Sequence, residues 1–326
     1  VVRKLNREFG TTVVISEHLT EELFPCADSV LVMENGKAVL KDTPQNTVDF
    51  MKKNHSPLLG ELPLFMRLFD GADTVFQCRE LLKEKNLPPL SSENDDPSVD
   101  MKLKNISFAY TKNNDVLKGL DLKLYRGKIN VLLGANSSGK STVLKVMANV
   151  LKPHHGRVKT ERTVSMLCQN PLDLFTKDRC GDEVEFGRIT DFLQIDDIKE
   201  QHPYDISGGQ AQRLALAKVL QKNADIILLD EPTKALDYEL KVKLADVLYR
   251  LCDEDKTVVI ATHDIDFAGE YGDYISFLSK GEIVTTMPRR EFFTSLNFYT
   301  TCTAKITNGI AVGYVGEQDL NDGGMI

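Results

Sequence analysis

Apolar and polar residues alternate from Met101 onward (Met101-Lys102-Leu103-Lys104), and a period of two predicts a strand there. Asn130-Val131-Leu132-Leu133 and Asp225-Ile226-Ile227-Leu228-Leu229 are instead nearly unbroken apolar runs. Such runs fit strands covered on both faces, as in parallel sheets between helices. Ala211 to Leu220 has helical spacing, so strand–loop–helix alternation predicts an α/β domain with a partly parallel sheet over residues 99–290. Upstream, Leu62 to Leu87 has helix-like apolar spacing broken at Asp70-Gly71. Pro88-Pro89 and the polar run Ser91 to Ser98 follow, so residues 55–98 are expected to be a helical extension and linker. Residues 291–326 are poorly patterned and are expected to form a tail. No apolar run approaches the roughly 18 residues that would span a bilayer.

The same pattern occurs twice. Residues 12–18 read TVVISEH and residues 257–263 read TVVIATH, and at the same offset Asp28 matches Asp273, Gly36 matches Gly281 and Val39 matches Val284. Five identities in seven residues, with three further matches in register, indicate a duplication. Both copies read as strand, histidine, helix, short strand, glycine turn and short strand. Residues 1–54 are therefore expected to be the C-terminal end of a first domain whose front lies outside this sequence. The chain opens on Val1-Val2 and an amphipathic, helix-like stretch, without Met or a secretory signal, as if cut from something longer.

Composition narrows the function classes. A formal net charge of −8 and a pI near 5.4 argue against binding a nucleic-acid backbone. Six cysteines without CxxC spacing, and histidines without an HExxH pattern, give no metal or redox motif. Reduced thiols in a reducing compartment are the expectation.

Three segments carry chemistry. Gly134-Ala135-Asn136-Ser137-Ser138-Gly139-Lys140-Ser141-Thr142 follows a predicted strand and opens a predicted helix. This is the phosphate-binding order GxxxxGK[ST], whose backbone N–H groups and helix N-terminus make an anion cradle. Lys140 is expected to reach the β- and γ-phosphates, and the Ser141 hydroxyl to ligate Mg2+. Asp230 and Glu231 end the second apolar strand. Asp230 is expected to meet the metal, and Glu231 to orient and polarise the attacking water. Ser207-Gly208-Gly209-Gln210 precedes the predicted helix and offers a hydroxyl and free N–H groups, either to an anion or as a plain N-cap.

On these residues the second copy resembles the ABC ATPases over nearly its whole length. The resemblance implies a P-loop fold with a partly parallel core sheet, an antiparallel β-subdomain and a helical subdomain, and ATP and Mg2+ as ligands. It also implies that Tyr110 stacks on adenine and that Gln169 touches the metal and senses a membrane partner. Asp237, in Ala235-Leu236-Asp237, would belong to the D-loop. His263, 32 residues beyond Glu231, would be the switch histidine that holds the γ-phosphate. Ser207 to Gln210 would be the signature that completes a site on a second cassette, supplied in cis by the longer chain or by a homodimer. Gln169-Asn170-Pro171, Leu174-Phe175 and Glu183-Val184-Glu185-Phe186-Gly187 resemble, more narrowly, energy-coupling-factor transporters. That resemblance implies a transmembrane scaffold subunit and a substrate-binding membrane subunit as partners, at the cytoplasmic face of the membrane, for vitamin or trace-metal uptake. A soluble tandem ATPase acting on ribosomes is the competing reading, and it would favour a long basic linker between cassettes. Three positions depart from the family. Ser137 stands where Gly is usual, Lys234 stands where Ser is common, and the stretch between Gly187 and Ser207 is short.

Overall fold

A strand that is apolar on both faces needs cover on both, and the second half of the chain supplies it. The computed structural model describes residues 2–16, 23–34, 36–85, 87–91, 97–112, 114–234, 236–296 and 299–323. His18, Ala235 and Phe298 lie outside them. The chain divides into two units, Val1–Cys78 and Arg79–Ile326.

The first unit opens with α1 (Val2–Phe9). The expected strand at 12–16 does not form: these residues are unpaired and exposed, Val14 at 91%. The matching strand of the second copy is hydrogen-bonded on both sides, and the described residues of the first unit contain no counterpart of either neighbour. After a short 3-10 turn at Phe24–Cys26, β1 (Val30–Glu34) and β2 (Lys37–Asp42) form an antiparallel pair through Gly36 at φ 74°. Next come α2 (Pro44–Lys53), capped by Thr43, and α3 (Leu64–Leu68). The break at Asp70-Gly71 falls between α3 and α4 (Val75–Leu82), a helix that crosses the boundary between units.

In the second unit β3 (Val99–Thr111) and β4 (Asn114–Tyr125) lead into β5 (Ile129–Leu133), then α5 (Lys140–Met147), β6 (His155–Lys159) and β7 (Val164–Leu167). Three helices follow: α6 (Cys180–Glu183), α7 (Arg188–Phe192) and α8 (Gly208–Gln221). Strands and helices then alternate through β8 (Ile226–Asp230), α9 (Tyr238–Asp253), β9 (Thr257–Thr262), α10 (Ile265–Tyr271), β10 (Tyr274–Ser279), β11 (Glu282–Pro288) and α11 (Arg289–Ser295). The six-stranded sheet runs β11-β10-β5-β9-β8-β7, all parallel except β11, and a separate antiparallel sheet runs β4-β3-β6. Every residue of β5, β8 and β9 is buried. Their side chains alternate between two cores. Ile227, Leu229, Val258 and Ile260 pack with α8 and α9, while Ile226, Leu228, Val259 and Ala261 pack with α5 and the antiparallel sheet. At about 1.5–3 kcal/mol per buried aliphatic side chain, this two-sided burial favours the sheet over any local alternative.

The expected repeat has a counterpart in the backbone register. Leu31 pairs with Lys41 as Ser276 pairs with Thr286, and Met33 pairs with Ala38 as Leu278 pairs with Ile283. The register shift after Val32 recurs after Phe277, at the sequence offset of the repeat.

The poorly patterned tail is ordered into α12 (Cys302–Thr307) and α13 (Glu317–Asp322). Ile306, Tyr314, Val315 and Leu320 are fully buried there. Asp319 accepts from Arg290 (2.7 Å) and from the backbone N–H groups of Val315 (2.9 Å) and Gly316 (2.8 Å). The tail also fixes the linker, since Leu90 N–H donates to Val312 O and the Tyr314 hydroxyl to Pro88 O, each at 2.9 Å. Gly313, at φ 91°, lies against Leu90, whose carbonyl oxygen would be 2.1 Å from an added Cβ.

Candidate functional site

Parallel register sets the site. Leu133 of β5 is opposite Thr262 of β9, Asp230 of β8 is opposite Ala261, and Leu167 of β7 is opposite Leu229. The loops after these four strands therefore leave the same edge of the sheet, the carboxyl edge at which open α/β sheets bind ligands. They carry Gly134 to Gly139, Gln169, Glu231 and His263.

The loop after β5 turns tightly. A Cβ on Gly134 would stand 2.4 Å from Leu278 O, and Gly139 sits at φ 109°. Ser137 adopts φ 63°, the left-handed conformation that favours glycine. Lys140, 7% exposed, folds back so that Nζ donates to Gly134 O (2.8 Å) and Ala135 O (3.3 Å). Burial pulls its pKa below the ordinary lysine value, and the charges of Glu231 and Asp230 oppose that shift. The Ser138 hydroxyl oxygen is buried without a hydrogen-bond partner among the described residues. A loop with a buried cation and an unspent hydroxyl fits a phosphate chain.

Beside it, burial raises the Asp230 carboxyl above its usual range, opposed by a hydrogen bond from Ser141. Its Oδ2 is buried without a partner among the described residues. Ser141 and Asp230 thus supply adjacent hard oxygen donors, a set that fits Mg2+. Among the described residues no cluster of three His, Cys, Asp or Glu side chains could hold a metal.

Glu231 also has left-handed backbone, φ 51°. Its N–H donates to Ala261 O (2.8 Å), Thr262 Oγ1 donates to its Oε2 (3.0 Å), and His263 Nδ1 lies 2.8 Å from its Oε1. Glu231 and His263 are therefore in contact. Tyr110 extends from β3 with its ring edge-on to Phe108 and its hydroxyl 3.3 Å from Thr142 Oγ1 on α5, and it is 58% exposed. Gln169 lies two residues past β7.

The remaining expected residues lie on other elements. Ser207 caps α8 in a reciprocal box: its hydroxyl accepts from Gln210 N–H (3.3 Å) and its own N–H donates to Gln210 Oε1 (3.0 Å). Gly208 is open, with nothing within 4 Å of an added Cβ, and Gly209 follows it in the first turn. Asp237 caps α9, accepting from Leu240 N–H at 2.8 Å. Of the segment Glu183 to Gly187, Glu183 points inward. Its carboxylate accepts from Lys218 Nζ and from the N–H groups of Thr176 and Lys177. Burial opposes its ionisation, but these donors hold its pKa below the usual value. Phe186 is half-buried in an open groove that Glu185, Lys199 and Gln221 also line. Sequence reading alone passes over Thr262 and Lys218, since each sits in a run whose period marks it as packing.

The family model for ABC transporters matches residues 117–234. Relatives in Bacillus anthracis and Methanothermobacter marburgensis both carry the provisional name ABC transporter ATP-binding protein. The first is 32% identical over 92% of this chain and 61% of its own length; the second is 30% identical over 59% of this chain and 81% of its own length. This chain thus spans only about three fifths of the Bacillus protein. Among solved structures, the dimeric cassette MJ0796 in a post-hydrolysis state, bound to ADP and Pi, is similar at 26% identity and a TM-score of 0.53, over 58% of this chain and 99% of that one.

Proposed function

The chain belongs to the ABC transporter ATP-binding proteins, a family whose cassettes bind ATP with Mg2+ and hydrolyse it, and from that premise we propose how its residues divide the work. The observation that carries the reading is the meeting of Lys140, Asp230, Glu231 and His263 at one edge of the sheet. Phosphate oxygens replace the loop carbonyls now bonded to Lys140, and the N–H groups of residues 135–142 complete the cradle. Ser141 and Asp230, with Gln169, would hold Mg2+, which would supply positive charge to neutralise the phosphates. Glu231 accepts the proton of the attacking water. His263 exchanges Glu231 for the γ-phosphate, and Tyr110 stacks on adenine. Ser207 to Gln210 and Asp237 face the site of a second cassette.

Residues 1–54 are the end of a preceding cassette. The identical register of β1–β2 and β10–β11 supports this, as does the greater length of the Bacillus relative. The role that suits the whole protein is the ATPase of an energy-coupling-factor importer of vitamins or trace metals. It would act at the cytoplasmic face of the membrane through a transmembrane scaffold subunit and a substrate-binding subunit. The groove at Phe186, on the segment Glu183 to Gly187, supports that reading, because an apolar ring in an open groove suits a docked helix. Among the described residues no helix is long and apolar enough to cross a membrane. Purification of the chain from membranes tests it. Phe186→Ala is expected to leave ATP binding intact and weaken co-purification of integral subunits. Undiminished assembly, or recovery with ribosomes, favours the soluble tandem ATPase.

A further inference from the structure

We propose that Thr262 is a positioning residue for the hydrolytic carboxylate: its hydroxyl keeps one oxygen of Glu231 fixed while the other meets water. The inference rests on the reading of Glu231 as the general base. Thr262 closes β9 and is completely buried. Its Oγ1 accepts from Asp264 N–H at 3.0 Å and lies 3.0 Å from Glu231 Oε2. A hydroxyl has one proton and an ionised carboxylate has none to give, so that proton is directed at Glu231.

Three consecutive residues then hold Glu231: Ala261 by its backbone, Thr262 by Oε2 and His263 by Oε1. The last two differ in freedom. The His263 side chain is 59% exposed and can turn toward a phosphate. Thr262 is enclosed, and its neighbour Asp264 is anchored twice, accepting from Phe267 N–H at the start of α10 (3.0 Å) and from Lys241 Nζ on α9 (3.1 Å). When His263 leaves, Oε1 is opened to water and Oε2 stays held. A base fixed at one oxygen retains its aim, and loss of aim is costly because a displacement of about 1 Å can slow a reaction roughly 100-fold.

The test compares Thr262→Val, which keeps the shape and removes the hydroxyl, with Thr262→Ser, which keeps the hydroxyl. Both are made in the full chain and assayed for ATP hydrolysis and ATP affinity beside Glu231→Gln. Thr262→Val is expected to lower kcat about 10- to 100-fold with KM and affinity within about twofold. Thr262→Ser should restore kcat. Parent-like kcat in Thr262→Val beside an inactive Glu231→Gln overturns the role of Thr262 alone. A fall in kcat accompanied by an equal loss of ATP affinity, or without rescue by Ser, assigns Thr262 to packing and overturns it too. Parent-rate hydrolysis by Glu231→Gln removes the premise, and the inference falls with it.

Discussion

Lys140 is nine-tenths buried and donates to two carbonyls of its own loop, so its cation is satisfied and held in place. Lys140→Ala removes the charge that ATP would recruit, and ATP affinity measured by calorimetry is expected to fall at least tenfold, about 1.4 kcal/mol. Equal affinity would place the phosphates elsewhere. At Ser137 the cost lies in the backbone. Its φ of 63° is a conformation that costs an L-residue about 1–2 kcal/mol, of which glycine would return roughly half after its own entropy loss. Ser137→Gly is therefore expected to raise the thermal midpoint by a few degrees, given about 2–4 °C per kcal/mol at this size. A lower midpoint would mean that the serine hydroxyl contributes more than its backbone costs. The phosphate loop is legible residue by residue because its chemistry fixes both identity and spacing. Thr262 is not, because a threonine at the end of a β-branched run looks like any strand residue until its hydroxyl is seen between Asp264 and Glu231.

Among elements, what decides legibility is whether a segment's burial follows its own period. β9 and residues 12–16 share most of a heptapeptide, yet only β9 is a strand, with Val258 and Ile260 fully buried between β5 and β8. A run apolar on both faces states only a need for neighbours. The tail fails the other way. Its short helices have no sustained period, and its docking depends on acids that pattern reading assigns to the surface: Asp319 is 2% exposed, and Glu270 accepts from the N–H groups of Glu317 and Gln318 at the start of α13. Burial opposes ionisation of Asp319, but Arg290, Arg289 and two backbone N–H groups outweigh it and hold the pKa below the usual value. A depressed carboxylate stabilises above its unfolded pKa, about 3.9, and that stability is lost as pH falls through the lower folded value. Asp319→Asn is expected to weaken tail docking at neutral pH by roughly 2–3 kcal/mol, read as faster amide exchange over residues 312–320. The parent should approach the mutant only in acid. Unchanged exchange at neutral pH would show that apolar burial alone holds the tail.

At the scale of the molecule, the second unit has the proposed phosphate loop, metal-binding acid, base and histidine on one edge, with the serine of Ser207-Gly208-Gly209 engaged in capping its own helix. The α/β alternation of this unit is readable because β5, β8 and β9 are nearly unbroken apolar runs, whereas its extent, Arg79–Ile326, exceeds the expected 99–290. The completeness of the site is not readable, because it depends on a surface that a second cassette must bring. Lys140 of one cassette and Ser207 of another are expected to close over the same ATP, and two copies of this chain can supply both across a two-fold axis. The most direct test is the ATPase rate per chain against protein concentration, with Lys140→Ala and Ser207→Arg assayed separately and mixed. The expected result is a rate that rises with concentration, two inactive single variants, and recovery on mixing, since the mixed dimer confines both lesions to one site and leaves the other whole. A rate per chain independent of concentration, with no recovery on mixing, would contradict this arrangement.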